Sequence, residues 1–421
     1  SIRYNLAMAL MDAGELRGSL PHHKRSVELS PKNPEAWLNY GRVQSKLLDY
    51  ENAINCYEKA LNINPRFIEA LVNKGITLRQ LRRFEEALNL ADEALAINPN
   101  LIEALLNKGL ALQELGKYDE SHIYYDKVLS QNPEHVEAVF NKAISLHAQK
   151  KFEEALNYYD KVLNLKSDYI EALFNTAVIL QERSSYDEAI KYYDKVLMLR
   201  PNYYRAWSNK ALILFHLRQY EESIFHCEKA LSIESNIDWI LGLMIHMKMQ
   251  TAKWGNINAQ LKELISAIRL GKKVIAPLAL LSLVDDPELQ KKCAEIFIKK
   301  DSASETTVFN RRDSGQRKEK IRIGYYSADL RDHPVSRLLV ELFELHDKDR
   351  FEIYAFSFGD DDKSLVRKRF IDSADQFIDV REMSDKEVVE LSRKYQIDIA
   401  IDLGGFTQNS RTGIFLNRAA P

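Results

Sequence analysis

The chain has 421 residues, 45% hydrophobic and 29% charged, with 59 basic and 61 acidic side chains and a net charge of −2. That length exceeds what one ordinary core fills, so two or more structural units are expected, and the composition is that of a folded, helix-rich protein. The balanced charge offers no field for a polyphosphate backbone, which argues against nucleic acid as a partner; no apolar run reaches the ~20 residues of a bilayer span, which argues against a membrane.

The three cysteines, Cys56, Cys227 and Cys293, are odd in number and far apart, a pattern of reduced thiols in a reducing compartment. The expected location is cytoplasmic, or nucleocytoplasmic in a eukaryote. The chain starts at Ser1 and stops at Arg418-Ala419-Ala420-Pro421, inside what reads as a continuing domain, so it is expected to be a fragment.

From the first residue the sequence repeats itself every 34 positions. Pro31, Pro65, Pro99, Pro133 and Pro201 keep that spacing, with Ser167 and Ser235 where the proline lapses. Small residues recur at Gly41, Gly75, Gly109, Ala143, Ala177 and Ala211, where helices must approach closely. An aromatic column, Tyr50, Phe84, Tyr118, Phe152, Tyr186 and Tyr220, opens the second helix of each unit, and each proline closes it. Trp37, Gly41, Tyr50, Ala53, Ala60 and Pro65 fill the signature places of one unit, and the pattern resembles the tetratricopeptide (TPR) family. A helix pair this short cannot bury its own apolar face, so about seven units over residues 1–235 are expected to stack into a superhelix with a concave groove.

One column is unbroken: Asn5, Asn39, Asn73, Asn107, Asn141, Asn175 and Asn209 put a carboxamide on the first helix of every unit. A carboxamide pairs with both N–H and C=O groups, so such a column can grip an extended acceptor peptide by its backbone. An asparagine that bonds a neighbouring helix is the competing explanation. His226 and Cys227 are adjacent, but no second ligand pair accompanies them, and they read as core rather than as a zinc site.

Between 236 and 300 the 34-residue register is lost while the pattern stays helical, as a bridge. Residues 301–320 are polar and charged, with Arg311, Arg312, Arg317, Lys318 and Lys320, and read as a linker. From 321 the period changes to short β-rich runs alternating with amphipathic helices: strands at 321–327, 351–358, 376–380 and 397–403, helices at 337–345, 364–372, 385–395 and 411–417. Such alternation implies a parallel, doubly wound sheet whose ligands collect at the carboxyl ends of its strands. Pro334 suits the first position of a helix, which puts His333 at that helix entrance just beyond a strand.

The stretch Ile321-Arg322-Ile323-Gly324-Tyr325-Tyr326-Ser327-Ala328-Asp329-Leu330, leading to His333-Pro334-Val335-Ser336, closely resembles the opening of the catalytic domain in the protein O-GlcNAc transferase and SPINDLY family. Ile397 to Thr407, then Arg411 and Arg418 to Pro421, are similar to its next block, and Trp254 with Pro287 to Gln290 echo its connecting region. That resemblance implies a mainly α fold: a TPR α-α superhelix followed by a partial α/β domain, Rossmann-like and the first lobe of a GT-B transferase. It also implies metal-independent transfer of a sugar, from a nucleotide donor such as UDP-GlcNAc, to Ser or Thr of proteins. No cofactor is needed. Acceptor proteins would lie in the TPR groove, and that family is known for an asparagine column at the equivalent place. His333 stands at the position proposed there as the catalytic base. Two departures matter: Arg337 and Phe406 occupy places where some members carry auxiliary histidines. The lobe that binds the donor lies beyond Pro421, so the fragment alone is expected to be inactive. The alternative is a TPR scaffold whose transferase domain has degenerated.

Overall fold

A computed structural model describes residues 2–298, 320–407 and 410–420, the side chains of 2–4 excepted. The expected linker therefore lies outside the described residues apart from Lys320, and so do Arg311, Arg312, Arg317 and Lys318. The chain divides into two compact units, Ser1–Asn209 and Lys210–Pro421.

The first unit is a stack of helix pairs. They are α1 (Ile2–Asp12) with α2 (Leu16–Leu29), α3 (Pro34–Lys46) with α4 (Tyr50–Ile63), α5 (Ile68–Gln80) with α6 (Phe84–Ile97), α7 (Ile102–Glu114) with α8 (Tyr118–Gln131), α9 (Val136–Ala148) with α10 (Phe152–Leu165), and α11 (Ile170–Glu182) with α12 (Tyr186–Leu199). Within pairs the turn has one form. Leu48, Arg82, Lys150 and Ser184 take φ near +60°, and the next residue's N–H returns to a carbonyl five residues back, as from Asp49 to Gln44 at 2.9 Å. This is a Schellman stop, which satisfies the last carbonyls of the first helix. Gly116 holds the same place at φ +74°, where a left-handed residue costs no Cβ strain.

Two pairs close on a tyrosine ring laid against a glycine. The buried Tyr57 packs against Gly41, where an added Cβ would meet Cε1 at 2.6 Å, and Tyr125 does the same at Gly109, at 2.7 Å. Between them the ring position is Ala91, and the amide of Asn107 fills the space over Gly75 instead. First helices also touch the first helix of the following pair, α1 with α3, α3 with α5, α5 with α7 and α7 with α9. Their layer is the more crowded one and so forms the inner side of a TPR superhelix.

In the second unit the 34-residue register ends with α14 (Tyr220–Ile233), which follows α13 (Tyr204–His216). Ile224 and Cys227 of α14 join one core with α15 (Ile240–Gln250), α16 (Ile257–Arg269), α17 (Pro277–Leu281) and α18 (Pro287–Ile298). The bridge thus covers an apolar face that another repeat would otherwise cover. His226 Nδ1 donates to Glu222 O at 2.8 Å, and both His226 and Cys227 are buried in that helix packing.

The α/β part runs β1 (Ile321–Ser327), α19 (Pro334–Leu345), β2 (Phe351–Ser357), α20 (Leu365–Ser373), β3 (Gln376–Asp379), α21 (Asp385–Lys394), β4 (Ile399–Asp402) and α22 (Gly413–Leu416). The sheet order is β3-β2-β1-β4 and every pairing is parallel, with Ile323 opposite Ile353 and Ile399. All four expected strands and all four expected helices form, with ends shifted by up to three residues. The faces of the sheet are covered separately, Tyr325, Phe343 and Phe370 in one cluster and Tyr326, Phe356 and Val388 in the other.

Two outcomes follow from this packing. Gly41→Ala should cost about 1–3 kcal/mol in urea unfolding, since the Tyr57 ring has no room to yield. All three thiols are buried, and burial pushes Cys56 and Cys227 up to about 12 and Cys293 to about 11. They should resist a thiol reagent at pH 8 in the native protein and react fully in denaturant.

Candidate functional site

The carboxyl edge of the sheet is built by β1, β2, β3 and β4 and the turns that follow them. After Ser327 the chain bends sharply: Asp329 N donates to Ser327 Oγ at 2.9 Å, and Ser336 Oγ donates to the Asp329 carbonyl. These bonds lock the turn that carries His333. His333 is the N-cap of α19, in extended geometry at φ −143° and ψ 149°, and Pro334 follows at the first helical position. Its Nδ1 accepts the Val335 N–H at 3.3 Å and lies 3.7 Å from Asp329 Oδ2. The side chain is 35% exposed.

The cap has a chemical consequence. While Nδ1 accepts from Val335, the proton of a neutral ring sits on Nε2, and the imidazole presents a donor. A ring that accepts a proton at Nε2 must carry one on Nδ1, and the Asp329 carboxylate is the group placed to receive it. Asp329 was not singled out by sequence reasoning. An acid four residues before a histidine is too common a pattern to mark, and only the bend after Ser327 brings the two together.

Arg367 is the other residue the sequence did not mark. It is 4% exposed, and Nη1 donates to Leu330 O at 3.1 Å and Ser357 Oγ at 3.0 Å. Asp361 lies 3.1 Å from its Nε and Asp379 3.8 Å from its Nη2, with the Phe377 ring at 4.9 Å. One guanidinium thereby ties together the ends of β1, β2 and β3. The loop after β2 also presses on the loop after β1: a Cβ on Gly359 would come within 1.7 Å of Ala328 O.

The remaining edge groups are spent on the fold. Gly404 and Gly405 N–H both donate to Asp402 Oδ1 at 2.9 Å, so these amides close a turn on a carboxylate rather than standing free for a phosphate. Arg337 turns outward to Asp332, 2.8 Å away, and Phe406 stacks edge-on against Phe297 of α18 at 5.7 Å. Arg411 donates to Asp385, Val380 O and Met383 O.

In the repeat stack the asparagines share the first-helix layer but differ in what they touch. Asn5 is exposed, Asn73, Asn175 and Asn209 are half-buried, and Asn39, Asn107 and Asn141 are buried. Asn39 and Asn107 accept from Arg42 and Arg79, at 3.3 and 3.2 Å. Asn73 donates to Glu69 O at 2.7 Å and Asn209 to the Tyr193 hydroxyl at 3.1 Å, while Asn175 lies beside the Tyr159 phenol. Three residues along from the middle asparagines, Ile76 is exposed and Leu110, Ile144 and Val178 are half-buried, forming an aliphatic strip beside the amides. Among the described residues no group of three His, Cys, Asp or Glu could hold a metal ion, and no helix is long and apolar enough to cross a membrane.

Residues 287–421 match the sequence model of glycosyl transferase family 41. TPR models match 34–67, 68–101, 106–170, 170–203 and 204–237. The chain is similar to a probable UDP-N-acetylglucosamine–peptide N-acetylglucosaminyltransferase SEC of Arabidopsis thaliana, 32% identical over 103 residues, 24% of this chain and 10% of that protein. It is also similar to a UDP-N-acetylglucosamine–peptide N-acetylglucosaminyltransferase of Caenorhabditis elegans, 30% identical over 111 residues, 26% of this chain and 10% of that protein. The matched stretch thus spans about a tenth of the length of these relatives. A solved structure, the APC/C hetero-tetramer Cut9-Hcn1, shares the repeat fold at TM-score 0.50 and 16% identity, covering 57% of this chain and 48% of that one.

The two kinds of site residue should separate by stability. Arg367→Met takes a buried donor from Leu330 O and Ser357 Oγ and a cation from the half-exposed Asp361, while Asp379 keeps Arg381, and should cost about 2–4 kcal/mol in urea unfolding. His333→Ala removes only a helix cap and should cost about 0.5–2 kcal/mol.

Proposed function

From a chain that is a TPR-bearing relative of the O-GlcNAc transferase and SPINDLY glycosyltransferases, we propose that it forms the acceptor-handling part of a protein O-glycosyltransferase. The observation that carries this reading is the union, in one polypeptide, of a TPR stack with a family 41 segment whose first strand delivers His333 to the sheet's carboxyl edge. The nucleotide sugar, UDP-N-acetylglucosamine or a related donor, is the second substrate, and no metal or cofactor takes part. The transferred sugar leaves a diphosphate and bonds to a Ser or Thr oxygen, whose proton must go to a base.

His333 is that base. To serve, it gives up the Val335 N–H and turns Nδ1–H toward Asp329, so that Nε2 faces the acceptor hydroxyl. Asp329 acts through the histidine as a positioning residue, by holding the tautomer and stabilising the imidazolium that forms. The first-helix layer supplies the acceptor grip. Asn5 is exposed and Asn73, Asn175 and Asn209 are half-buried, beside the aliphatic strip of Ile76, Leu110, Ile144 and Val178, and these are the amides within reach of a partner. The sunken Asn39, Asn107 and Asn141 brace the same layer from within.

The reading is tested in the full-length protein with UDP-N-acetylglucosamine and a protein acceptor. His333→Ala should abolish transfer, and undiminished transfer would refute the catalytic role. Asp329→Asn should lower kcat about 10²–10⁴-fold, the worth of a general base held in the wrong tautomer, while leaving KM nearly unchanged. Replacing Asn73 and Asn175 by Ala should instead raise KM for the protein acceptor at unchanged kcat. A full-length protein that binds no nucleotide sugar at all would favour the scaffold, for which Arg337 and Phe406 in the auxiliary histidine places are the motive.

A further inference from the structure

One residue on from the asparagines, lysines at three successive repeats stitch each of these to the one before it. Lys74 reaches Glu58 at 3.0 Å and Lys142 reaches Asp126 at 2.5 Å, and Lys108 is paired with Asp92. Two of these ammoniums also sit over a ring of their own repeat: Lys108 lies 4.6 Å from the Tyr124 centroid and Lys142 4.9 Å from that of Tyr158. A further lysine, Lys127 or Lys161, covers the same ring from the same helix. The junction is therefore a carboxylate, a bridging ammonium, an aromatic face and an outer ammonium, in that order.

At the next junction three of the four parts are kept. Asp160 holds the place of the acid and Tyr192 that of the ring, and Lys195 lies 4.8 Å from the ring as the outer cation. The bridging residue is Thr176. Its side chain is too short to reach Asp160 as a lysine does; it is 2% exposed, and its hydroxyl has no hydrogen-bond partner among the described residues. Asp160 is exposed and makes no ion pair among them. The proline column lapses at this same junction, where Ser167 stands. A cleft of about 480 Å³ opens there, lined by Asp160, Asn164, Ser167, Leu173, Tyr192 and Lys195. The Asp160 carboxylate reaches the Tyr192 phenol electrostatically, since it adds to burial in pushing that group up.

We propose that this cleft is a recognition point for a lysine side chain of a partner polypeptide. Its ammonium takes the position between Asp160 and Tyr192 that Lys142 and Lys108 hold one and two repeats earlier, and Leu173 offers a wall to the methylene stem. The outer Lys195 does not forbid this, because Lys127 and Lys161 stand in the same relation to junctions that already hold an ammonium. A carboxylate facing an aromatic ring selects a cation by ion pairing and by the ring's quadrupole together. The inference rests on the repeat geometry alone and is independent of sugar transfer.

The test is a titration of the full chain, carrying ring-labelled tyrosine, with acetyl-Gly-Lys-Gly-amide and with its norleucine isostere. Tyr192 is assigned by loss of its signal in Tyr192→Phe. The lysine peptide should shift the Tyr192 resonance saturably and the norleucine peptide should not. Thr176→Lys, which supplies the bridging ammonium from within, should abolish the shift and raise Tm. Asp160→Asn, at an exposed site, should weaken binding about tenfold, the worth of one charge-assisted bond. Equal shifts from both peptides, no shift at Tyr192, or full lysine binding in either variant would overturn the proposal. Should Thr176→Lys fail to fold, Asp160→Asn decides by itself.

Discussion

The contact on which the repeat stack depends is a tyrosine ring laid against a residue with almost no side chain. Tyr57 on Gly41 and Tyr125 on Gly109 bring two helices close enough to exclude water, and a pair of short helices has little other apolar surface with which to close. The size of the ring then governs what its neighbours do. Where Ala91 takes the ring's place, the space over Gly75 is filled by the Asn107 amide from the following pair, and that asparagine becomes buried. Where the ring is present, its hydroxyl needs a partner: Tyr193 finds Gln181 at 2.8 Å and receives the amide of Asn209, and Tyr125 finds Gln113 at 2.9 Å. The asparagine column is thus not a row of identical free amides. Its members divide between packing inside the stack, as Asn39, Asn107 and Asn141 do, and partial exposure on the first-helix layer.

At the sheet edge the governing feature is a surplus of carboxylates set against few cations. Asp402 takes the two glycine amides, Asp362 takes the Asp332 N–H at 2.7 Å, Asp361 lies against Arg367, and Asp379 pairs with Arg381 at 2.8 Å beside Arg367. Each acid is committed to holding a turn. Asp329 is the exception, because its closest cationic neighbour is a titratable imidazole rather than a permanent charge. His333 thus has two hydrogen-bonding options close in space, the Val335 N–H that it now accepts and the Asp329 carboxylate 3.7 Å away. The bridge meets this edge through aromatic contacts, Trp239 with Phe297 and Phe297 with Phe406, so the loop after β4 is anchored by rings rather than by charge.

Repetition gives an internal standard against which single positions can be judged. Ala91, Ser167 and Thr176 are unremarkable residues in isolation. Against their columns each is a departure: the Asn107 amide fills the space at Ala91's junction, Ser167 lines a cleft, and Thr176 leaves the neighbouring Asp160 without the lysine that earlier repeats supply. The lysine stitching resumes in kind beyond the repeats, where Lys248 of α15 pairs with Glu228 of α14 at 2.8 Å.

The sequence by itself determined the helix pairs, their period, the strand–helix alternation and the position of His333 as a helix cap. These depend on local chemistry: proline stops, left-handed turns, capping and a periodicity that changes from 3.6 to 2 are written in neighbouring residues. Tertiary structure alone decided which side of the β1 turn holds a carboxylate for His333, that Arg367 binds three strand ends, and that Gly404 and Gly405 spend their amides on Asp402. It also decided which asparagines are sunk and which face out. Some of those outcomes join residues far apart in the chain, such as Asn107 with Gly75 or Arg367 with Leu330, and the nearer ones, such as Asp329 with His333, depend on the exact bend of the turn between them. Column identity records that a residue recurs; only packing fixes how much of it solvent, or a partner, can reach.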